Sequence, residues 1–134
     1  MNTSNLKPHL NAMLICDTVI TEVGTNKKSL IGLFENISAS SFPCAHPSLS
    51  VFVKFTDALG IYKFALEFVN FDTDIVVAKT EIPEIDVVDK LASYELVFNL
   101  HGIVFNEPGK YAFRIFANGE FVGQKPFMVH KKDL

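Results

Sequence analysis

The sequence predicts an all-β domain, on three observations. Residues 48–56, 61–70, 93–100 and 111–115 alternate with the period of two that a half-buried strand requires. Turn clusters such as Gly24-Thr25-Asn26, Asp72-Thr73-Asp74 and Glu107-Pro108-Gly109-Lys110 punctuate the chain. There are 13 Phe and no Trp, a composition that fills sheet interiors without leaving a ring N–H to satisfy. Seven or eight short antiparallel strands with almost no helical pattern read as a β-sandwich of the immunoglobulin-like kind.

Each element follows in order. Residues 10–23 are rich in β-branched and apolar types and end at the Gly24 turn. Residues 29–37 form a second segment. Residues 38–47 read as a long loop, because three serines and two prolines argue against a regular strand. In 48–56, Leu49, Val51, Val53 and Phe55 share one face, with Ser50, Phe52 and Lys54 on the other. In 61–70, Tyr62, Phe64, Leu66 and Phe68 share a face. A four-residue loop over 58–61 would pair these two segments, with Phe55 opposite Phe64, and align both apolar rows. Residues 75–82 are another strand candidate. Residues 83–91 are open between a short helical turn near Val87–Lys90 and an irregular crossover.

The last hairpin starts at Pro108-Gly109-Lys110-Tyr111, which looks like the corner before strand F of immunoglobulin-like domains. Tyr111, Phe113 and Ile115 share a face that Phe121, Gly123 and Phe127 should join. A two-residue Asn118-Gly119 turn would pair Phe116 with Phe121 and set the two apolar rows on opposite faces. A three-residue loop over 117–119 pairs Ile115 with Phe121 and aligns them, with Gly119 left-handed in a G1 bulge, and is the preferred reading. Pro126 marks the final strand as an edge or as bulged.

The 134 residues suit one domain. It is expected over 10–130, after a flexible N-terminal segment 1–9 and before a tail 131–134. The net charge of −3, with Arg114 the only arginine, argues against a nucleic-acid partner. No apolar run approaches the ~18 residues of a membrane span, although the mean hydropathy is positive. The polar start lacks the marks of a signal peptide, so a cytoplasmic location and reduced Cys16 and Cys44 are expected.

Several stretches carry a resemblance. They are Ile15-Cys16-Asp17-Thr18-Val19-Ile20, Ser29-Leu30-Ile31-Gly32-Leu33-Phe34, and Phe42-Pro43 with His46-Pro47-Ser48-Leu49. Tyr94-Glu95-Leu96-Val97-Phe98-Asn99-Leu100 and the closing Glu107–Tyr111 and Asn118-Gly119-Glu120 elements join them. Together, from about Leu10 to Val129, they resemble a family of small bacterial all-β proteins catalogued only as a domain of unknown function. The resemblance implies a bacterial origin and carries over no catalytic or binding residue.

No constellation for catalysis emerges. Of His9, His46, His101, His130, Cys16 and Cys44, only Cys44 and His46 are closely spaced. They are weak metal candidates, because a structural zinc site needs a second such pair. Cys44 with His46 or His101 could be drawn as a dyad, but no nucleophile elbow surrounds it. Glu81, Glu84, Asp86 and Asp89 lack the spacing of a calcium loop, and no glycine-rich phosphate cradle occurs. No cofactor and no enzymatic activity are expected.

One surface stands out. By strand parity, Phe52, Arg114, Phe116, Val122 and Met128 would share the outer face of one sheet, and these residue types favour interfaces. Alternatively, segment 83–91 folds over that face. The leading expectation is a non-enzymatic protein-interaction module or small structural subunit, binding another protein or its own copy as a homodimer. On that view, a charge at Phe116 breaks the complex and spares the fold. The second is a small-molecule or lipid-binding sandwich, which requires a cavity of a few hundred Å³. The third is a metal-dependent or thiol enzyme on Cys44 and His46.

Overall fold

A computed structural model describes residues 6–133. They form eleven strands and no helix: β1 (His9–Thr21), β2 (Lys28–Leu33), β3 (Asn36–Ala39), β4 (Cys44–Thr56), β5 (Gly60–Tyr62), β6 (Phe64–Asn70), β7 (Val76–Glu81), β8 (Ile85–Val87), β9 (Tyr94–Phe105), β10 (Gly109–Ala117) and β11 (Glu120–Lys131). The all-β expectation holds, with eleven strands where seven or eight were expected. Residues 1–5 of the expected N-terminal segment and residue 134 of the expected tail lie outside the described residues. Leu6 is tied down, its carbonyl accepting from the Tyr62 hydroxyl.

The strands make three sheets. The first runs β2-β1-β4-β9, the second β3-β11-β10-β6-β7, and β5 pairs with β8 in a small third sheet. Neighbours are antiparallel except β3, which runs parallel to β11. The two large sheets face each other across one core. Phe68, Tyr111 and Phe127 of the second sheet gather around Phe105 of the first, Phe113 packs on Phe68 and Phe127, and the Phe68 and Phe105 rings meet edge-on at 5.5 Å. Such aromatic pairs add to the area they bury. The rows read from the sequence supply this core: Leu49, Val51, Val53 and Phe55, then Tyr62, Phe64, Leu66 and Phe68, are all buried.

Four expectations about connections need correction. Residues 44–47 are not loop but the start of β4, where Cys44, Ala45 and His46 pair with Phe105, Val104 and Ile103. The ladder omits only Pro47 and the facing Gly102, whose φ is +65°. The proline is tolerated because β1 has already left that edge of β4 after Cys16 pairs with Ser50. Second, β4 and β6 are not a hairpin. The chain crosses from one sheet to the other there, turning at Asp57 (φ +61°) and Gly60 (φ +119°). Phe55 and Phe64 still meet, at 5.0 Å between ring centroids, but across the core rather than along a ladder.

Third, residues 29–37 split at the Phe34–Glu35 step, so that β2 belongs to the first sheet and β3 to the second. Fourth, the last hairpin turns through two residues. Asn118 (φ +51°) and Gly119 (φ +80°) are both left-handed, as a type I′ turn demands. Ala117 pairs with Glu120 and Phe116 with Phe121. The apolar rows are realigned by a bulge at Val122, after which Ile115 pairs with Gly123.

The β1–β2 hairpin does not continue its sheet. The residues from Cys16 to Thr21 span about 17 Å when extended, leading away from Ala12, Lys54 and Glu95, which lie abreast in β1, β4 and β9. Yet Lys28, the partner of Thr21, places its Nζ 2.8 Å from Glu95 Oε1. The hairpin therefore folds back across the outer face of the first sheet. Gly32 (φ +73°) lies at the bend, with the Asp17 side chain where its Cβ would stand. Beneath lie Cys16, Ser50 and Phe52, all buried. The Ser50 hydroxyl is satisfied by Asn99 Oδ1 at 2.7 Å.

Candidate functional site

The five residues expected on one interaction face do not come together. Phe52 is in β4, in the other sheet from Arg114, Phe116, Val122 and Met128, and is only 6% exposed under the folded hairpin. The parity was right, but position on an outer face did not mean exposure. Val122, as the bulge residue, turns to the core. Arg114 lies flat on its face, held by Asp74 Oδ1 at 2.8 Å and Gln124 Oε1 at 3.0 Å, with its guanidinium 6.0 Å from the Phe71 ring. Met128 is half-buried in the last strand beside β3. What remains is Phe116, edge-on to Phe121 at 5.8 Å, with Phe121 44% exposed.

Segment 83–91 does not cover that face either. It forms β8 against β5, carries Val87 into the core, and packs Ile85 against it. It makes no helical turn.

Cys44 and His46 sit two residues apart in β4, with the His46 ring 5.9 Å from that of Phe34. Among the described residues, no group of three or more His, Cys, Asp or Glu could hold a metal ion. His101 lies in β9, opposite Ser48.

One mainly apolar cleft is not revealed by strand parity. β7 ends the second sheet and β9 ends the first, on the same side of the molecule. Between them opens a cleft of about 330 Å³. Its floor is Leu66, Phe68 and Phe113. One wall is Leu100 to Val104 of β9, and the other Val77 to Thr80 of β7. Lys79, Thr80 and His101 are the polar side chains on it. Among the described residues its lining has no carboxylate and no cysteine, and its chemistry is that of binding apolar groups.

The reason the cleft stays open is local. β7 bulges at Val77, since Phe68 pairs with Ala78 and Val69 with Val76. β9 is irregular at Gly102, facing Pro47. Both edges are thus kinked where they border the cleft, a device that also discourages unspecific edge-to-edge pairing. Apolar side chains still crowd the rim: Val77 is 48% and Val104 46% exposed. The sequence signal was weak. Val76-Val77 is apolar at both parities, unlike a strand with one wet face, but only the fold shows that β7 is an edge.

Two groups have shifted acidities. Burial pushes the Cys16 thiol up, with the Asp17 charge adding to it. Burial likewise pushes the Tyr111 hydroxyl up, and the Glu107 charge adds. Tyr111 Oη donates to the Glu107 carbonyl at 2.7 Å, closing the corner expected from the Pro-Gly-x-Tyr string. Neither group touches the cleft.

Among the described residues, no helix is long and apolar enough to cross a membrane. No curated protein matches the chain. Among solved structures, it is similar to the alkylpurine DNA glycosylase AlkC of Pseudomonas fluorescens, bound to DNA containing an abasic site analog. The TM-score is 0.55 at 10% identity, covering 92% of this chain and 30% of that one. The chain thus spans under a third of that protein, and the likeness concerns the fold alone. A sequence profile of a family of unknown function, DUF6941, matches residues 11–130. On that match, the chain belongs to the DUF6941 family.

Proposed function

We propose that this protein is a non-enzymatic interaction module that receives apolar side chains of a protein partner in the cleft between β7 and β9. The observation that carries the reading is the pairing of two free strand edges with an apolar floor of Leu66, Phe68 and Phe113. Free edges supply backbone donors and acceptors, and the floor supplies pockets for side chains, the combination used in strand addition. This moves the binding surface from the outer face of a sheet to the open side of the sandwich. The partner is another protein or a second copy. A net charge of −3 favours neither DNA nor RNA, so the nucleic-acid role of the glycosylase is not transferred.

The sandwich is read as immunoglobulin-like. The β11-β10-β6 order, the parallel β3 beside β11, and the Tyr111 corner support this. Free Cys16 and Cys44 suit a reducing cytoplasm. A second reading, an apolar small-molecule carrier, is favoured by the cleft volume, which falls at the lower end of ligand sites.

The test places a photo-crosslinking amino acid at Val104, and as a control at Phe121, in the full chain expressed in its native host. Crosslinks at Val104 that Val77→Asp abolishes support the cleft. Crosslinks confined to Phe121 refute it in favour of the outer face. Extra mass on the purified monomer in native mass spectrometry, lost in Val77→Asp, selects the carrier reading.

A further inference from the structure

We propose that the β1–β2 hairpin is a strap that lifts off the sandwich as a unit, uncovering Phe52 and Cys16 while the core stays folded. Three observations lead there. Beyond the bend, residues 18–31 pair only within the hairpin. Among the described residues, two side-chain ties join this part to the rest of the protein: the Lys28–Glu95 ion pair, and at the bend itself the Cys16 thiol donating to the Thr18 carbonyl at 3.4 Å. The bend itself is a natural hinge: the Asp17–Gly32 pair is missing from the ladder, and Gly32 holds a φ of +73°.

The surface of the hairpin turned away from the body adds a further argument. Ile20 and Ile31 are 53% and 47% exposed, and Val23 at the tip is 96% exposed. Among the described residues, none covers Ile20, Ile31 or Val23 enough to hold the hairpin down from this side. Its hold is the half-buried Val19 and Leu30 together with the ion pair. The core between the two large sheets lies on the other face of the first sheet. Lifting the hairpin therefore opens the outer face without parting the sheets. This inference does not depend on the cleft.

Cys16 is a built-in reporter, because it is fully buried under the bend. The experiment uses the full chain with Cys44→Ser, so that Cys16 is the only thiol, and follows its reaction with a disulfide reagent at pH 8. A lifting strap gives labelling that depends weakly on urea, well below the dependence of global unfolding. Glu95→Lys, which sets a third lysine beside Lys28 and the cross-strand Lys54, should speed labelling about fivefold at low urea. Lys28→Glu combined with Glu95→Lys should restore the slow rate. Labelling that follows global unfolding at every urea concentration overturns the strap. So does an unchanged rate in Glu95→Lys, or a double variant as fast as the single one. Global urea midpoints of each variant, measured by circular dichroism, separate a lifted hairpin from a damaged fold.

Discussion

Gly123 of β11 lies against Leu10 of β1: a Cβ on Gly123 would stand closer to Leu10 Cδ2 than van der Waals contact allows. β11 belongs to one sheet and β1 to the other, so the Leu10 side chain fills the space that the glycine leaves between them at that end. Gly123 faces inward because it pairs with Ile115, a core residue.

Gly123→Val should therefore act as overpacking. The β-branched side chain enters only if the half-buried Leu10 side chain turns aside, and the cost should be about 1 kcal/mol, the low end for overpacking. Urea denaturation should show a lower midpoint at unchanged slope. Leu10→Ala in the same chain should recover part of the loss. An unaltered midpoint in Gly123→Val would mean that the Leu10 side chain turns aside freely and that the glycine is not required there.

Phe52 and Phe121 should answer differently to truncation. Phe52 is buried beneath the hairpin, so Phe52→Ala should cost about 3 kcal/mol. Phe121 is 44% exposed and rests mainly on Phe116, so Phe121→Ala should stay within about 1 kcal/mol. Thermal or urea unfolding of the two variants side by side checks this. Equal costs would contradict the assignment of Phe52 to a covered face.

Stability should fall on the alkaline side. Cys16 and Tyr111 both have acidities displaced upward in the folded state, from 9.0 and 10.0 respectively. Each is held neutral by the fold more than by the unfolded chain. The stabilisation is complete below the unfolded values and is lost as pH rises through the folded ones. Urea midpoints should thus be flat to about pH 9 and decline above it. Cys16→Ala should soften the first part of the decline and Tyr111→Phe the later part. At pH 7, Tyr111→Phe should also cost about 1 kcal/mol, the worth of the bond to the Glu107 carbonyl. A decline identical in all three chains would assign the alkaline loss to other groups.

The reading of the sequence and the structure diverge at identifiable places. In the last hairpin, alignment of the apolar rows argues for a three-residue loop. The protein instead uses the Asn118-Gly119 turn that those residues favour, and corrects the register one step later with a bulge at Val122. A bulge adds one residue without a composition of its own, so it left no mark. At Pro47, the sequence rule was sound for a paired strand, but it could not foresee that β1 leaves the edge of β4 before reaching it.

By itself, the sequence determined what is local and periodic. The period-two rows of Leu49 to Phe55, Tyr62 to Phe68 and Tyr111 to Ile115 assigned the core face, because a strand sends alternate side chains to opposite sides. The Pro-Gly-x-Tyr string set the corner, because its hydrogen bond closes over four residues. Only the tertiary structure decided which strands lie side by side, which edges stay free, and what covers an outer face. Those depend on contacts between residues far apart in the chain: β9 against β4, β3 against β11, and Lys28 reaching Glu95 over the outer face of a sheet. Alternation along a strand tells the two faces apart, but the same alternation suits any neighbour. The cleft, bounded by edges of two different sheets, follows from that choice of neighbours and was legible in neither strand alone.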